Sequence, residues 1–174
     1  MYIPIILGTA REGRQSEKVA NFVLKETIAN NFESEILDVR DYILQVVKDR
    51  EELLPLKELE EKILKADALI IVSPEYNHSY PGELKMMLDL FYKQYFYKPV
   101  GICGVSSGSF GGARMIKHLQ QVCTALHMLP IGESLYFSKV QELFDDNGRI
   151  QDEKYKERII KFLDELTVVA KNSQ

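Results

Sequence analysis

Short apolar runs and amphipathic stripes alternate along this chain, and the spacing inside each one identifies the element. Leu69-Ile70-Ile71-Val72 is a nearly continuous apolar run rich in β-branched residues, which is how a strand covered on both faces reads. Ile3–Leu7, Glu35–Val39, Pro99–Val105 and Leu129–Phe137 read as further strands. Pro4 counts against a long central strand, because proline cannot donate to the ladder, but it is tolerated at a strand start. Between these runs the period changes to that of a helix. Val19, Phe22 and Val23 mark a helix reaching about Ile28, and Leu56, Leu59, Ile63 and Ala66 mark a second. Leu84, Met87, Leu88, Phe91 and Tyr92 fall at i, i+3, i+4, i+7 and i+8, an apolar stripe on one helix face. Pro81 and Glu83 suit the start of that helix. Ala113–His127 reads as the next helix, and Tyr155, Ile159, Phe162, Leu163 and Leu166 give a closing helix its buried stripe.

Strand and helix alternate five times, which predicts an α/β fold with a parallel sheet covered by helices on both faces. At 174 residues the chain is expected to form one domain, residues 1–174. Residues 40–55 are the least readable. Tyr42-Ile43-Leu44-Gln45-Val46-Val47 is too apolar for a solvated loop and is expected to pack, on a partner subunit for instance.

Composition narrows the function classes. Hydrophobic content of 45% and charged content of 28% are ordinary for a globular protein. A net charge of −4 argues against a nucleic-acid partner. Cys103 and Cys123 show neither metal nor redox spacing, so no disulfide framework or metal site is expected. The apolar run at Ile3–Leu7 is too short for a signal sequence and lacks a basic region before it. No stretch approaches the ~20 apolar residues of a membrane span. A cytoplasmic protein that binds no membrane is the resulting expectation. Asp145-Asp146-Asn147-Gly148 is a turn, without the alternating acids of a calcium loop.

Three loops should leave three strands at the same, carboxyl edge, where open α/β sheets bind ligands. Gly8–Ser16 offers hydroxyls at Thr9 and Ser16, guanidinium groups at Arg11 and Arg14, and a helix start, the parts of an anion site. It misses a Walker A motif. Gly8 and Gly13 have the right separation, but Arg14-Gln15 stands where Lys-Ser/Thr is required. Ser73–Gly82 sets Pro74, Tyr76 and Pro81 among hydrogen-bonding groups and suits a planar heteroaromatic ring met by backbone N–H groups. Ser106–Gly112 holds Gly108, Gly111 and Gly112, which allow a close backbone approach to a ligand. Together they suggest a phosphate at the first loop and a ring between the other two, the way FMN lies in a flavodoxin-like sheet.

On these residues the chain resembles the NADPH-dependent FMN reductase family, the flavodoxin-like group that includes quinone, azo-dye and chromate reductases. Three pieces carry the likeness: Gly8-Thr9-x-Arg11 with Ser16; Pro74-Glu75-Tyr76-Asn77-x-Ser79-x-Pro81-Gly82-x-Leu84-Lys85; and Ser106 through Gly111-Gly112-Ala113-Arg114. The second is the most diagnostic. The resemblance implies a three-layer sandwich around a five-stranded parallel sheet of order 2-1-3-4-5. It implies Thr9, Arg11 and Ser16 as FMN-phosphate contacts, with Gln15 and Glu17 beside them. It implies Pro74, Glu75, Tyr76 and Asn77 as ring contacts, with Ser106 and Gly108 closing the site. Thr9 stands where the family more often has serine and keeps the hydroxyl. The Tyr42–Val47 segment and the Tyr95-Phe96-Tyr97 cluster depart from the family pattern.

The resemblance further implies electron transfer from NADPH or NADH through FMN to a small acceptor such as a quinone, flavin, azo dye or metal oxyanion, in ping-pong order. The flavin carries that chemistry, so no protein residue is singled out as catalytic. Tyr76 is expected to wall the nicotinamide site. His78 reads as an exposed turn residue, His118 and His127 as structural or solvated, Cys103 as core, and Glu75 as shaping its own loop. The helix at 83–92 and the aromatic segment 91–97 are expected to join subunits of a homodimer or homotetramer. Two other classes stay open: a flavodoxin-like electron carrier, and an FMN-containing redox-sensing module. No basic cluster for a 2′-phosphate stands out in the sequence.

Overall fold

A computed structural model describes residues 1–42 and 54–173. Five parallel strands form one sheet: β1 (Ile5–Leu7), β2 (Ile36–Asp38), β3 (Leu69–Pro74), β4 (Pro99–Val105) and β5 (Leu129–Phe137). Their order is β2-β1-β3-β4-β5, as expected. The helices between and after them are α1 (Ser16–Ala29), α2 (Leu54–Lys65), α3 (Gly82–Leu88), α4 (Ala113–Ala125), α5 (Val140–Leu143) and α6 (Lys154–Asn172). Alternate strand residues feed two separate cores, because successive side chains leave a strand on opposite faces. Ile5, Leu7, Ile70, Val72, Cys103 and Val105 pack with α1 and α6. Ile6, Leu37, Leu69, Ile71, Val100 and Ile102 pack with α2, α3 and α4. The result is a three-layer sandwich with apolar side chains on both faces of each inner strand.

Close approach sets two details of this packing. A Cβ on Gly101 would lie 2.3 Å from the Phe162 ring, so glycine in β4 lets α6 sit down on the sheet. Between β4 and β5 the register shifts from Val100↔Pro130 to Ile102↔Ser134. The amides of Gly132 and Glu133 in the shifted segment donate instead to the Glu165 carboxylate on α6, both at 2.9 Å.

Several elements differ at their ends from the sequence expectation. β1 begins at Ile5, since Pro4 offers no donor, although its carbonyl accepts from the Ile70 amide at 3.1 Å. β3 runs on through Ser73 and Pro74, which pair with Gly104 and Val105. α3 stops at Leu88 with Asp89 as its cap, short of the expected Tyr92. Past that point Leu90 and Tyr95 are still buried, but on an irregular turn and a 3-10 turn at Lys93–Tyr95. That turn reproduces helical spacing without helical backbone. The apolar face of α3 is spent internally: Leu84, Met87 and Leu88 all lie in the core beneath α3. What reaches solvent from this region is Tyr92 and Tyr97, 49% and 65% exposed. Of the apolar stretch from Tyr42, Tyr42 itself is buried, and the rest lies outside the described residues. Among the described residues no helix is long and apolar enough to cross a membrane.

Candidate functional site

The loops that follow β1, β3 and β4 meet at the carboxyl edge of the sheet around a cleft of about 380 Å³. Arg11, Gln15 and Ser16 form one wall, Pro74, Glu75 and Tyr76 another, and Val105, Ser106 and Ser107 a third. Val140 and Gln141, just after β5, close the remaining side.

The first loop divides its two arginines between different tasks. Arg14 is buried, and its guanidinium grips the Asp38 carboxylate through both terminal nitrogens, one of them at 2.8 Å, and the Thr9 carbonyl as well. Burial alone would push the Asp38 carboxyl up, but the hydrogen bonds from Arg14 and from the Arg40 amide outweigh it and hold its pKa below the ordinary range. Burial likewise works against the Arg14 charge, and Asp38 more than restores it. Arg14 is therefore a splint between the loop and β2, not the free anion-binding group its sequence position suggests. Arg40 adds a second brace, donating to the Ala10 carbonyl at 3.1 Å and the Arg11 carbonyl at 2.6 Å. Arg11, in contrast, is exposed at the cleft. Ser16 opens α1 with a buried hydroxyl that has no hydrogen-bond partner among the described residues. A buried, unpaired polar group of this kind costs free energy unless something pairs with it, and this one stands on the wall of the cleft.

The second loop is a two-residue hairpin. The Tyr76 and Ser79 amides exchange hydrogen bonds with each other's carbonyls at 2.8 and 2.9 Å. Asn77 and His78 occupy its tip with φ of +49° and +67°, the paired left-handed geometry of a type I′ turn. The Glu75 amide donates to the Val105 carbonyl, so the Glu75 and Tyr76 amides are used inside the protein. The Glu75 carboxylate turns toward α4. It accepts from the Arg114 and Met115 amides at 3.2 and 3.4 Å and pairs with the Arg114 side chain at 3.4 Å. It is an N-terminal cap supplied by a neighbouring loop. Tyr76 is half-buried, and its hydroxyl lies 3.3 Å from that of Thr9, so Thr9 supports the tyrosine from beneath.

In the third loop the glycines serve the fold. Gly111 and Gly112 have φ of +57° and +81°. A Cβ on Gly111 would sit 2.7 Å from that of Tyr136, and one on Gly112 2.9 Å from the Val105 amide nitrogen. Their freedom lets the loop press on β4 and β5. Gly108 has open space around it, and its carbonyl accepts from Ser106 Oγ and from the Lys139 amide.

Of the residues singled out in the sequence, Arg11, Gln15, Ser16, Pro74, Glu75, Tyr76 and Ser106 come together at the cleft. Thr9, Glu17, Asn77 and Gly108 stand just behind or beside its walls, with the exposed Glu17 carboxylate 3.4 Å from Arg14 Nε. Val140 and Gln141 were missed. The signal for them was the strand order, since β5 beside β4 must deliver its own carboxyl-end loop next to Ser106. Asp38 and Arg40 were missed for a related reason: β2 delivers them beside the first loop. Cys103 and Cys123 are buried away from the cleft, and burial pushes both thiols up, that of Cys123 to about 12.

Residues 1–142 match the model of a family described as NADPH-dependent FMN reductase. The chain is 38% identical over 104 residues to an NAD(P)H-dependent FMN reductase of Pseudomonas aeruginosa, a match spanning 57% of this chain and 56% of that protein. It is 32% identical over 152 residues to an NAD(P)H-dependent FMN reductase of Saccharomyces cerevisiae, covering 76% of this chain and 78% of the relative. Its fold is similar to that of the flavoenzyme NAD(P)H:(acceptor) oxidoreductase FerB from Paracoccus denitrificans. The TM-score is 0.85 at 22% identity, over 99% of this chain and 98% of that one.

Proposed function

The chain belongs to the NADPH-dependent FMN reductase family, and from that premise we propose that it is an FMN-dependent NAD(P)H oxidoreductase acting on a small acceptor. Quinones, flavins, azo dyes and metal oxyanions are the acceptor classes that fit. FMN held in this cleft would supply the chemistry of hydride acceptance from the nicotinamide and two-electron transfer to the acceptor, in ping-pong order.

The observation that carries the reading is the Ser16 hydroxyl, buried on the cleft wall at the start of α1 with nothing among the described residues to bond. A phosphate there would accept that hydrogen bond, meet the positive end of the helix dipole, and lie within reach of Arg11. Arg11, Gln15 and Ser16 hold the phosphate in this reading, with Thr9 and Glu17 behind them. Pro74, Tyr76 and Val105 give the ring its apolar walls, Asn77 and Glu75 shape the turn beside it, and Ser106 and Gly108 close the far side. The residues orient the reactants and exclude water from the ring; none is assigned a proton-transfer role. We further assign the exposed aromatics at 92–97 to a contact between subunits of a homodimer or homotetramer, narrower than expected because α3 turns its apolar face inward.

Purified protein is expected to absorb at the flavin bands and to release FMN on denaturation. Ser16→Ala should weaken FMN binding about tenfold, the loss of one charge-assisted hydrogen bond. It should leave the flavin-free protein as stable as before or more so, because the substitution removes an unsatisfied buried hydroxyl. Flavin titration and thermal unfolding of the stripped protein measure both. Colourless protein that takes up no added FMN, or unchanged affinity in the variant, refutes the assignment. Steady-state NADPH oxidation with menadione separates the enzyme from an electron carrier, which would not turn over without a separate reductase.

A further inference from the structure

We propose that the cleft between the Tyr76–Ser79 hairpin and the first two turns of α4 is a phosphomonoester subsite for the nicotinamide donor. It takes the 2′-phosphate and so selects NADPH over NADH. The proposal rests on the flavin-reductase reading and adds the donor's identity to it.

The cleft measures about 510 Å³ and is lined by His78, Ala113, Arg114, Lys117 and His118. Among the described residues no carboxylate lines it. Arg114, Lys117 and His118 stand at i, i+3 and i+4 of one helix, which places them on one face. His78 comes from the tip of the hairpin opposite, held there by the left-handed turn. The Lys117 ammonium donates to a neutral partner, Gln120 Oε1, at 3.1 Å, so its charge is not neutralised there. Arg114 meets Glu75 at 3.4 Å through one terminal nitrogen. A guanidinium has five N–H donors, so others remain for a ligand. The Phe110 ring centroid lies 5.1 Å from the Arg114 Cζ and helps hold the guanidinium in place. His118 Nδ1 lies 3.4 Å from Ser79 Oγ, linking the helix to the hairpin across the cleft.

This group of donors is matched to a phosphomonoester, which carries about 1.5 to 2 negative charges and three acceptor oxygens. The cleft also adjoins the flavin cleft. Glu75 lies on the wall of one and grips Arg114 in the other, while Tyr76 and His78 share a single hairpin. In this proposal the donor lies with its nicotinamide beside Tyr76 and its phosphate end toward the four basic residues. Sequence alone gives no reason to group them, because α3, β4 and the loops around them separate His78 from Arg114.

The test is calorimetric titration of the FMN-loaded protein with 2′,5′-ADP and with 5′-AMP, which lacks only the 2′-phosphate. The first should bind at least about tenfold tighter, the effect of a charge-assisted contact to the extra phosphate. Lys117→Glu should erase that preference and lower the NADPH-to-NADH ratio of kcat/KM by a similar factor, while the flavin content is retained. His118→Ala, which keeps the net charge closer to that of the parent, should reduce the preference in the same direction. Equal affinity for the two nucleotides, or a preference that survives Lys117→Glu, overturns the proposal. So does a variant in which only the KM for a sulfonated azo dye rises, since the anion bound there would then belong to the acceptor. Failure of the flavin reading looks different: that protein is colourless and binds no FMN, whereas a yellow protein indifferent to the 2′-phosphate refutes this inference alone.

Discussion

Arg14 carries its charge where water barely reaches, with a side chain 2% exposed against 21% for its partner Asp38. A buried ion survives only with its partners in place, and removing one of them strands the other. Asp38→Ala should therefore destabilise the protein by about 3 kcal/mol, the lower end for breaking a buried pair, because Asp38 keeps some solvent contact. Urea unfolding measures it. The pH dependence has a definite sign. The folded-state pKa of Asp38 is depressed, so its contribution is complete above the unfolded value of about 3.9 and is lost as the pH falls through the folded one. The parent should lose stability below about pH 4, and Asp38→Ala should lose less over the same range. The pair also explains why the loop after β1 was only half legible. Arg11 and Arg14 look alike in sequence, and what separates them is a carboxylate 24 positions away that only the pairing of β1 with β2 brings near.

At the scale of elements, the third loop depends on two glycines whose neighbours come from other strands. Gly111→Ala puts a Cβ 2.7 Å from that of Tyr136 at a φ of +57°. Overpacking together with left-handed strain should cost about 2–3 kcal/mol and lower the Tm by roughly 5–10 °C for a chain of this size. Gly108→Ala meets open space and should shift stability by no more than about 0.5 kcal/mol. Equal effects in a melting experiment would contradict this division. The elements themselves were readable where burial forces the pattern. β4 and β5 run over Pro99–Val105 and Leu129–Phe137, as their apolar runs predict, and the sheet order follows. α3 was overextended because Phe91 and Tyr92 continue its apolar stripe in sequence, although the backbone after Leu88 is no longer α-helical, which periodicity cannot distinguish. The residue types of the loop after β3 mark it as a cleft wall, which it is, but the partners of its polar groups were not legible. The Glu75 and Tyr76 amides and the Glu75 carboxylate are taken up by β4, the hairpin and α4, partners that only the folded chain supplies.

At the scale of the whole molecule, one patch is left without a use inside the subunit. Tyr92, Phe96, Tyr97 and His127 form an edge-to-face array, with Phe96 5.0 Å from Tyr92, 6.1 Å from Tyr97 and 4.6 Å from His127 between ring centroids. The Tyr92 hydroxyl and His127 Nε2 are 2.9 Å apart. Tyr97 is held outward at a φ of +61° by the hydrogen bond its amide donates to the His127 carbonyl at 2.8 Å. A side chain fixed in an uncommon backbone region and left 65% exposed gains nothing from its own core. Contiguous exposed aromatics of this kind mark contact surfaces, and α3 beside them offers no competing face because its apolar stripe is buried. The protein should therefore run as a dimer or tetramer in light scattering. Tyr97→Asp should shift it toward the monomer, since burying an unpaired carboxylate in such a contact is costly, while the melting of the isolated subunit changes little because Tyr97 packs on so little of the core. A parent that is monomeric at tens of micromolar, or a variant that keeps the parent's mass, would show that these rings serve some other surface.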